Sequence, residues 1–490
     1  MKKIRILKAA LSAGLFVVCG FSSAQITLKS FQMDEGTESS PFGNVINDIY
    51  VDGETVWVGA RGLSKTMNMG DTWTTYTRAD GLGRGGISSI DVRNGVIWAA
   101  AIFDSTTDLG TFHSGGGLAY SLDNGATWTH IPQPVDSRDE TAFKPTTTII
   151  QNCTYDVVQS DSAVWIASFG GGLRQSTDMG ETWQIVTVDG AAFDALGDLS
   201  HRAFSLLYDG EAVWAGTAGG IHKSYDEGKT WVTYTHQNQT DGISGNFVVA
   251  IAHQHYKDRD LIWAATIEAV GEDEFRAVSI TEDGGLTWRT TLEGYFAHNI
   301  AFDDSVVYVC TESGLFKSLD FGKTWAVFPR IFDTEKDAGV YTEDILSAGI
   351  GRDHALWIGS SDGLALTLDN GLTYKIFRSF QTPGKGDTPD TYAYPNPFSP
   401  LRHNLVGEDG HVRFQYRTQQ SVSVTVKIYD FGMNLVTTVV EEKYRSLPGD
   451  YSEIWDGKND LGDMVANGVY FYKISLSGHD PLWGKVMVVN

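Results

Sequence analysis

The chain of 490 residues has little cysteine, little proline and too few basic side chains for its acids. Three cysteines exclude the disulfide-dense scaffold that small exported domains adopt when their cores are insufficient. Twelve prolines beside 54 glycines exclude a proline-rich disordered chain and suit many tight antiparallel turns. With 37 basic against 61 acidic residues, the formal net charge is −24 at pH 7. Such a surface repels phosphate backbones and anionic headgroups, which speaks against nucleic acid as a partner. No His/Cys cluster has zinc spacing, and the acidic turn Asp456-Gly457-Lys458-Asn459-Asp460 places a lysine where a calcium loop needs an oxygen. Neither a metal nor a cofactor is expected. Beyond the first 24 residues, no apolar run is long enough to span a bilayer.

Those first residues read as a targeting segment. Lys2, Lys3, Arg5 and Lys8 form a basic head, Ala9 to Phe21 an apolar run too short to cross a bilayer, and Ser22-Ser23-Ala24 a small-residue cleavage site. Export across the inner membrane follows, to the extracellular space or outer cell surface. A lipid anchor at Cys19 is the competing reading, although bulky Val18 stands where a small residue is wanted.

What the chain has in abundance is an internal repeat. The pattern Ser/Thr-x-Asp-x-Gly-x-Thr-Trp recurs seven times: Thr66 to Trp73, Ser121 to Trp128, Ser176 to Trp183, Ser224 to Trp231, Thr281 to Trp288, Ser318 to Trp325 and Thr367 to Tyr374. The closing aromatics are spaced 55, 55, 48, 57, 37 and 49 residues apart, close to a four-stranded propeller blade. Each copy reads as a locked turn. The carboxylate accepts backbone N–H groups, glycine supplies positive φ, and Thr and Trp open the next strand. Upstream of each lies an apolar strand with a central aromatic: Trp57, Trp98, Trp165, Trp214, Trp263, Tyr308 and Trp357. The repeat is therefore strands a, b and c, the box turn, and d, and the expected fold is all-β, a seven-bladed β-propeller. Cys153 and Cys310 then fall in the third and sixth blades, too far apart for a bond that needs Cα atoms within about 7 Å, and are expected as buried thiols.

Over roughly residues 44 to 380 this combination resembles the Asp-box (bacterial neuraminidase repeat) propellers. That group includes sialidases, oligoxyloglucan hydrolases, sortilin-type receptor ectodomains and photosystem assembly factors. The resemblance implies fold more strongly than activity, because unrelated activities are grafted onto one scaffold. The sialidase pattern of aromatic-Arg-Ile-Pro before the first box is missing from residues 25 to 65; Phe328-Pro329-Arg330-Ile331 has the wrong order. Xyloglucanases of this type pair two propellers across a cleft, and one is expected here.

The box pattern stops after the last copy. The domain boundaries are expected at 1–24 for the targeting segment, 25–380 for the propeller, 381–391 for a linker and 392–490 for a second β domain. The tail carries Tyr394-Pro395-Asn396-Pro397-Phe398, Asp430-Phe431-Gly432, Trp455-Asp456-Gly457 and Gly468-Val469-Tyr470-Phe471-Tyr472. In this order the motifs resemble the immunoglobulin-like module of flagellar hook-capping proteins and the similar carboxy-terminal sorting domains of type IX secretion. By that resemblance the tail is a small β-sandwich that engages outer-membrane secretion machinery; a plain sandwich spacer is the alternative.

A meander places box turns and a–b turns on one rim and the b–c and d–a connections on the other. Tight links such as Asp52-Gly53, Asn94-Gly95 and Asp209-Gly210 belong to the box rim. The long ones, about 103–115, 130–147, 187–201, 236–246 and 331–343, belong opposite. Long loops on a rigid scaffold are the usual seat of recognition, so that face is expected to bind a cell-surface or extracellular protein or glycan. Its polar candidates are Asn44, Asp48, Ser89, Asn152, Asp156, His201, Arg202, Ser205, Asn246, His298, Asn299, Glu343 and Asp344. Alignment on the b-strand aromatic puts Asp48, Ser89, Asp156, Ser205 and Asn299 in one column, aimed toward an axial funnel, where small polar residues also serve simply to hydrate a channel. No catalytic residue is expected for a binding propeller; for a glycoside hydrolase the acid/base pair is Asp48 and Asp156. The box positions Asn68, Asp123, Asp178, Asp226, Asp283, Asp320 and Asp369 are read as structural. All propeller tryptophans are accounted for by boxes and b strands, which leaves sugar stacking to residues such as Phe112 or Phe143. Either Ile26 to Phe31 or Thr373 to Phe377 supplies the strand that completes the ring.

Overall fold

The computed structural model describes residues 40–108, 110–135, 148–271 and 273–490. The targeting segment, Ile26 to Phe31 and Phe143 lie outside these. The chain divides into two compact units, one continuing to Ser379 and the other containing Phe380–Asn490 together with Tyr341–Glu343. Glu343, expected on the propeller's binding face, is thus grouped with the second unit.

Among the described residues the first unit contains seven four-stranded sheets, each built from consecutive strands. The first sheet comprises Asp48–Asp52, Thr55–Gly59, Leu63–Thr66 and Thr74–Tyr76, and the last Ile345–Ile350, Leu356–Ser360, Gly363–Thr367 and Lys375–Phe377. The first strands of successive sheets pack on one another, and Asp48–Asp52 packs on Ile345–Ile350. The result is a closed β-propeller. Ile46, Ile49 and Val58 meet Trp357, Leu364 and Phe377 at the closing seam. The last sheet takes its outer strand from its own repeat, with Phe377 opposite Leu364.

The second strand of each sheet is apolar because both of its faces are covered. Thr55–Gly59, Val164–Ser168 and Val213–Thr217 are buried at every position. Their central tryptophans, with Trp98, Trp263 and Trp357, are at most 1% exposed, and truncating one would cost roughly 3–5 kcal/mol.

The box turns are built as hydrogen-bonded corners. In the third copy, Ser176 Oγ donates to Asp178 Oδ1 (2.8 Å) and accepts from the Gly180 N–H (2.8 Å). Asp178 in turn accepts the Thr182 N–H at Oδ1 (2.9 Å) and the Thr182 hydroxyl at Oδ2 (2.5 Å). Asp123, Asp226, Asp283, Asp320 and Asp369 repeat the arrangement. Asn68 preserves it with one polarity reversed: Oδ1 accepts the Thr72 N–H and Nδ2 donates to the Thr72 hydroxyl. The Thr127 hydroxyl and N–H hold Asp123 down at about 2, although its carboxylate is exposed.

Five of the corners also join one sheet to its predecessor through an edge-on pair of indoles. Trp128 stands edge-on to Trp57 at 6.3 Å and 87°, Trp183 to Trp98 at 6.4 Å and 86°, and Trp231 to Trp165 at 6.2 Å and 90°. Trp325 meets Trp263 likewise, and Trp73 of the first sheet closes the circle on Trp357 of the last. In four copies, Gly125, Gly180, Gly228 and Gly322, the box glycine lies against that central indole. At Gly228, φ is +78° and a Cβ would sit 2.5 Å from the Trp165 ring.

The second unit is a sandwich of a three-stranded sheet (Thr391–Tyr394, Val412–Thr418, Gly449–Trp455) and a four-stranded one (Leu435–Arg445, Val422–Tyr429, Gly468–Leu476, Leu482–Val488). Phe398, Phe414, Trp455 and Tyr472 fill its core. Inside it, Glu453 accepts from the Arg445 guanidinium and from the Tyr416 hydroxyl.

Gly228→Ala is expected to lower the unfolding free energy of the propeller by about 1–3 kcal/mol, from overpacking and backbone strain together. Gly210→Ala, which meets open space at φ +98°, should cost less. Thermal denaturation of the two variants side by side checks the difference.

Candidate functional site

The aligned column is real, and it points elsewhere than expected. Asp48, Ser89, Asp156, Ser205 and Asn299 pair with Gly59, Ala100, Ala167, Gly216 and Cys310, equivalent positions of the second strands. Instead of entering an axial funnel, most of these side chains bridge to the next sheet. Asp48 Oδ2 accepts the Ile90 N–H (2.7 Å), and Asp156 Oδ2 accepts the Leu206 N–H (2.7 Å). Ser89 donates to Asp156 Oδ1 (2.8 Å), while Ser205 donates to the Val248 carbonyl (3.4 Å). Ser347 continues the belt across the closing seam to the Ile46 carbonyl (3.0 Å). The physical need is plain: an innermost strand has no partner on one edge, so its N–H and C=O groups must be satisfied otherwise.

The belt concentrates negative charge. Burial pushes Asp48 up to about 7, helped by the Asp156 and Asp91 carboxylates, and pushes Asp156 to about 7 as well. Asp91, which accepts the Gln159 backbone and side-chain N–H groups, is raised by burial to about 6. Carboxyls near neutrality are the range from which general acids are drawn. Here, however, both oxygens of Asp48 and of Asp156 already accept backbone N–H bonds.

A second belt lies one residue toward the long-loop rim, and period-two reasoning misses it. The first strands of sheets two to seven each carry a register shift at this end, leaving out Ser88, Tyr155, Phe204, Val249, His298 and Leu346. A bulge re-aims one side chain, and all six are partly exposed. Ser88 donates to the Thr154 carbonyl, and Asn47, just ahead of the first sheet, to the Ile87 carbonyl. His298 meets Asp344 at 3.0 Å. Between them runs an aromatic arc. Phe204 lies 5.4 Å from Tyr155, 6.2 Å from Phe169 and 4.3 Å from Phe247, and the Arg202 guanidinium sits over Phe169 at 5.4 Å. The b-strand alignment does put these residues in one column; what hid them is the extra residue, which breaks strict alternation.

Other candidates are occupied locally. Asn44 is buried and exchanges two hydrogen bonds with the Ser379 backbone. Buried Asn152 donates to the Pro134 carbonyl and accepts from Gln133 and Ser168. Asn246 belongs to a knot around buried Glu274, which also takes the Ala269 and Gly271 N–H groups. Arg202 donates to the Ala195 and Leu196 carbonyls. Asn299 is partly exposed.

Asp189, Asp198 and His201 bring three ligand-type atoms within 4.8 Å of one another. His201 Nδ1 accepts the Asp194 N–H (2.9 Å), so its proton resides on Nε2, 3.1 Å from Asp189. A metal at Nε2 would shift that proton to Nδ1, against the Asp194 donor. The trio fits a loop clamp better than a metal site.

The loops themselves differ from expectation in two places. Residues 103–115 are not a loose connection but the end of a paired hairpin, Val96–Thr107 with Gly110–Ser121, and Phe112 lies on it. Segment 236–246 reaches the box of the next sheet, where the Asp241 backbone carbonyl accepts the Trp288 backbone N–H. There it borders a groove of about 780 Å³ that includes the box residues Asp283 and Thr287.

Residues 403–480 match the FlgD Ig-like domain. A search among curated proteins finds no match. Among solved structures, the chain is similar to a GH74 enzyme of Niastella koreensis at 13% identity, covering 91% of this chain and 73% of that one, with a TM-score of 0.52. It is similar to the GH74 xyloglucanase Xcc1752 of Xanthomonas campestris at 14% identity, over 78% and 59%, TM-score 0.50. PorZ, a surface component of the type-IX secretion system of Porphyromonas gingivalis, aligns at 17% identity over 90% and 65%, TM-score 0.44. The chain thus spans less than two thirds of PorZ and of the Xanthomonas enzyme. The likeness to the GH74 enzymes shows the β-propeller fold alone.

The two classes of aspartate predict separate pH windows. Asp48, Asp91 and Asp156 ionise later folded than unfolded, so their stabilisation is full below the unfolded value of 3.8 and is lost as pH rises to about 7. The box carboxylates, held low, lose theirs as pH falls below the unfolded value. Melting temperature should decline between about pH 4 and 7, and Asp156→Asn should flatten that decline. An unchanged slope would place the titration elsewhere.

Proposed function

We propose that this protein is an exported, non-catalytic β-propeller that binds a protein or glycan at the cell surface. Its binding face is the long-loop mouth of the ring, and its FlgD-like module serves in sorting and attachment. The observation that carries this reading is the upper belt, where seven successive sheets each offer one side chain at the same level. Asn47, Ser88 and His298 supply polar groups on one arc, and Tyr155, Phe204, Phe247 and Phe169 an aromatic surface on the other. Aromatic faces with a few placed polar groups are the usual make-up of a recognition site.

The hydrolase reading loses support for a specific reason. A retaining or inverting glycosidase needs one carboxyl to give a proton and another to attack or activate water. Asp48 and Asp156 spend their lone pairs on N–H groups of neighbouring strands, so moving either toward a substrate would unlatch two sheets. The acidic surface supports a partner that is neutral or basic rather than polyanionic.

The test is a glycan array and a surface-protein array probed with wild type, Phe204→Ala and Phe247→Ala, beside a panel of chromogenic glycosides and xyloglucan. Binding weakened roughly tenfold or more in the variants, with an ordinary fold and no turnover by wild type, is expected. Turnover abolished by Asp48→Asn or Asp156→Asn in a folded protein would establish the hydrolase instead.

A further inference from the structure

The four-stranded sheet of the second unit has one face in the core and one that is open. Alternation sends Val424, Val426, Ile428, Tyr472, Ile474 and Val486 inward. It turns Lys427, Tyr429, Phe471, Lys473, Trp483 and Lys485 outward, each exposed or half-buried. Register sets these six in two rows of three. Lys427 stands opposite Lys473, which stands opposite Trp483; two residues along, Tyr429 stands opposite Phe471, which stands opposite Lys485. Trp483 is 46% exposed, and its ring centroid is 5.8 Å from that of Tyr429.

The charge on this face is not balanced from within. Like charges directly opposite on neighbouring strands, with Cβ atoms about 4.5–5.5 Å apart, destabilise a sheet, yet Lys427 and Lys473 hold such places. Glu441 reaches Lys427 at 3.8 Å. Lys473 instead lies over the Trp483 ring, 5.5 Å from its centroid, and among the described residues neither it nor Lys485 pairs with a carboxylate.

We propose that this face binds an acidic polysaccharide, a chain of sugars that carry uronate carboxylates. The C–H faces of the sugars stack on Trp483, Tyr429 and Phe471, and the carboxylates accept charge-assisted hydrogen bonds from the ammonium groups between those rings. Lysine is depleted from the cores of protein–protein interfaces. Here lysines stand among the rings rather than around them, which favours a hydrated polymer over a folded protein. Neighbouring strands repeat about every 4.7–4.9 Å, so ring and ammonium recur across a flat surface as sugar face and carboxylate recur along a chain. The net charge of −24 belongs to the whole chain. At physiological salt its field decays over about 8 Å, and the local lysines decide what this face attracts. The site lies on a different unit from the propeller mouth and does not rest on what that mouth binds.

Biolayer interferometry of the full chain on immobilised polygalacturonate, at about 0.15 M salt, tests the assignment. Saturable binding is expected, weakened roughly tenfold or more by Trp483→Ala and by Lys473→Gln/Lys485→Gln, and reduced as salt rises. Neutral dextran should bind more weakly. Poly-L-glutamate, which has the charge without the sugar, should not compete at equal carboxylate concentration. All substitutions are on the open face, and unchanged thermal melting confirms that the variants fold. Lack of saturable binding, undiminished affinity in Trp483→Ala/Lys473→Gln, or equal competition by poly-L-glutamate would each overturn the proposal. Binding that survives in Trp483→Ala but is lost in Phe204→Ala would place the polysaccharide at the mouth and overturn it as well.

Discussion

The structure depends on one recurring contact, the edge of a box tryptophan set against the central aromatic of the preceding sheet. A four-stranded sheet of short strands has two apolar faces and cannot bury either alone. Stacking solves this only if the sheets meet at a fixed angle and distance. The indole sets the distance, the glycine beneath it allows the approach, and the Ser–Asp–Thr hydrogen bonds hold the corner that aims it. The exposed aspartate of six copies thus serves for what it orients rather than for what it touches. Asn68, with one oxygen and one nitrogen, meets the same demand because Thr72 can either donate or accept.

Nearer the axis a different problem dominates. Seven strand edges face inward, and their unpaired backbone groups are served by short polar side chains from the adjoining sheet. Asp48, Ser89, Asp156, Ser205 and Ser347 do this work with one hydrogen bond or two apiece. Placing carboxylates there brings Asp48, Asp91 and Asp156 into one another's fields in a poorly hydrated seam, and their protons are held accordingly. A perturbed carboxyl is commonly taken as a sign of chemistry; in this ring the shift accompanies burial where neighbouring sheets meet.

The fold was legible because its signal repeats. Seven boxes at similar spacing and seven apolar strands with central aromatics specify sheets, order and rims before any side chain is placed. The site was less so. Alternation puts Asp48 and Asp156 on one face but cannot say whether that face meets solvent or the next sheet. It also cannot register the bulges that turn Tyr155 and Phe204 out of phase, since a bulge adds a residue without altering the local composition. Asn152 and Asn246 read as polar rim residues, whereas both are internal struts.

Among the described residues every propeller sheet, the last included, is completed by residues from its own stretch of chain, and no strand is borrowed across the closing seam. The circle is fastened by side chains, among them Asn44 on Ser379 and Ser347 on Ile46, and by backbone bonds from the Ile46 N–H to Ser360 and from the Gly363 N–H to Asn44. A gene encoding such a molecule can gain or lose a whole repeat without leaving any sheet incomplete. Blade number in proteins of this design is thus open to duplication and deletion, limited by the angle at which neighbouring indoles will still meet.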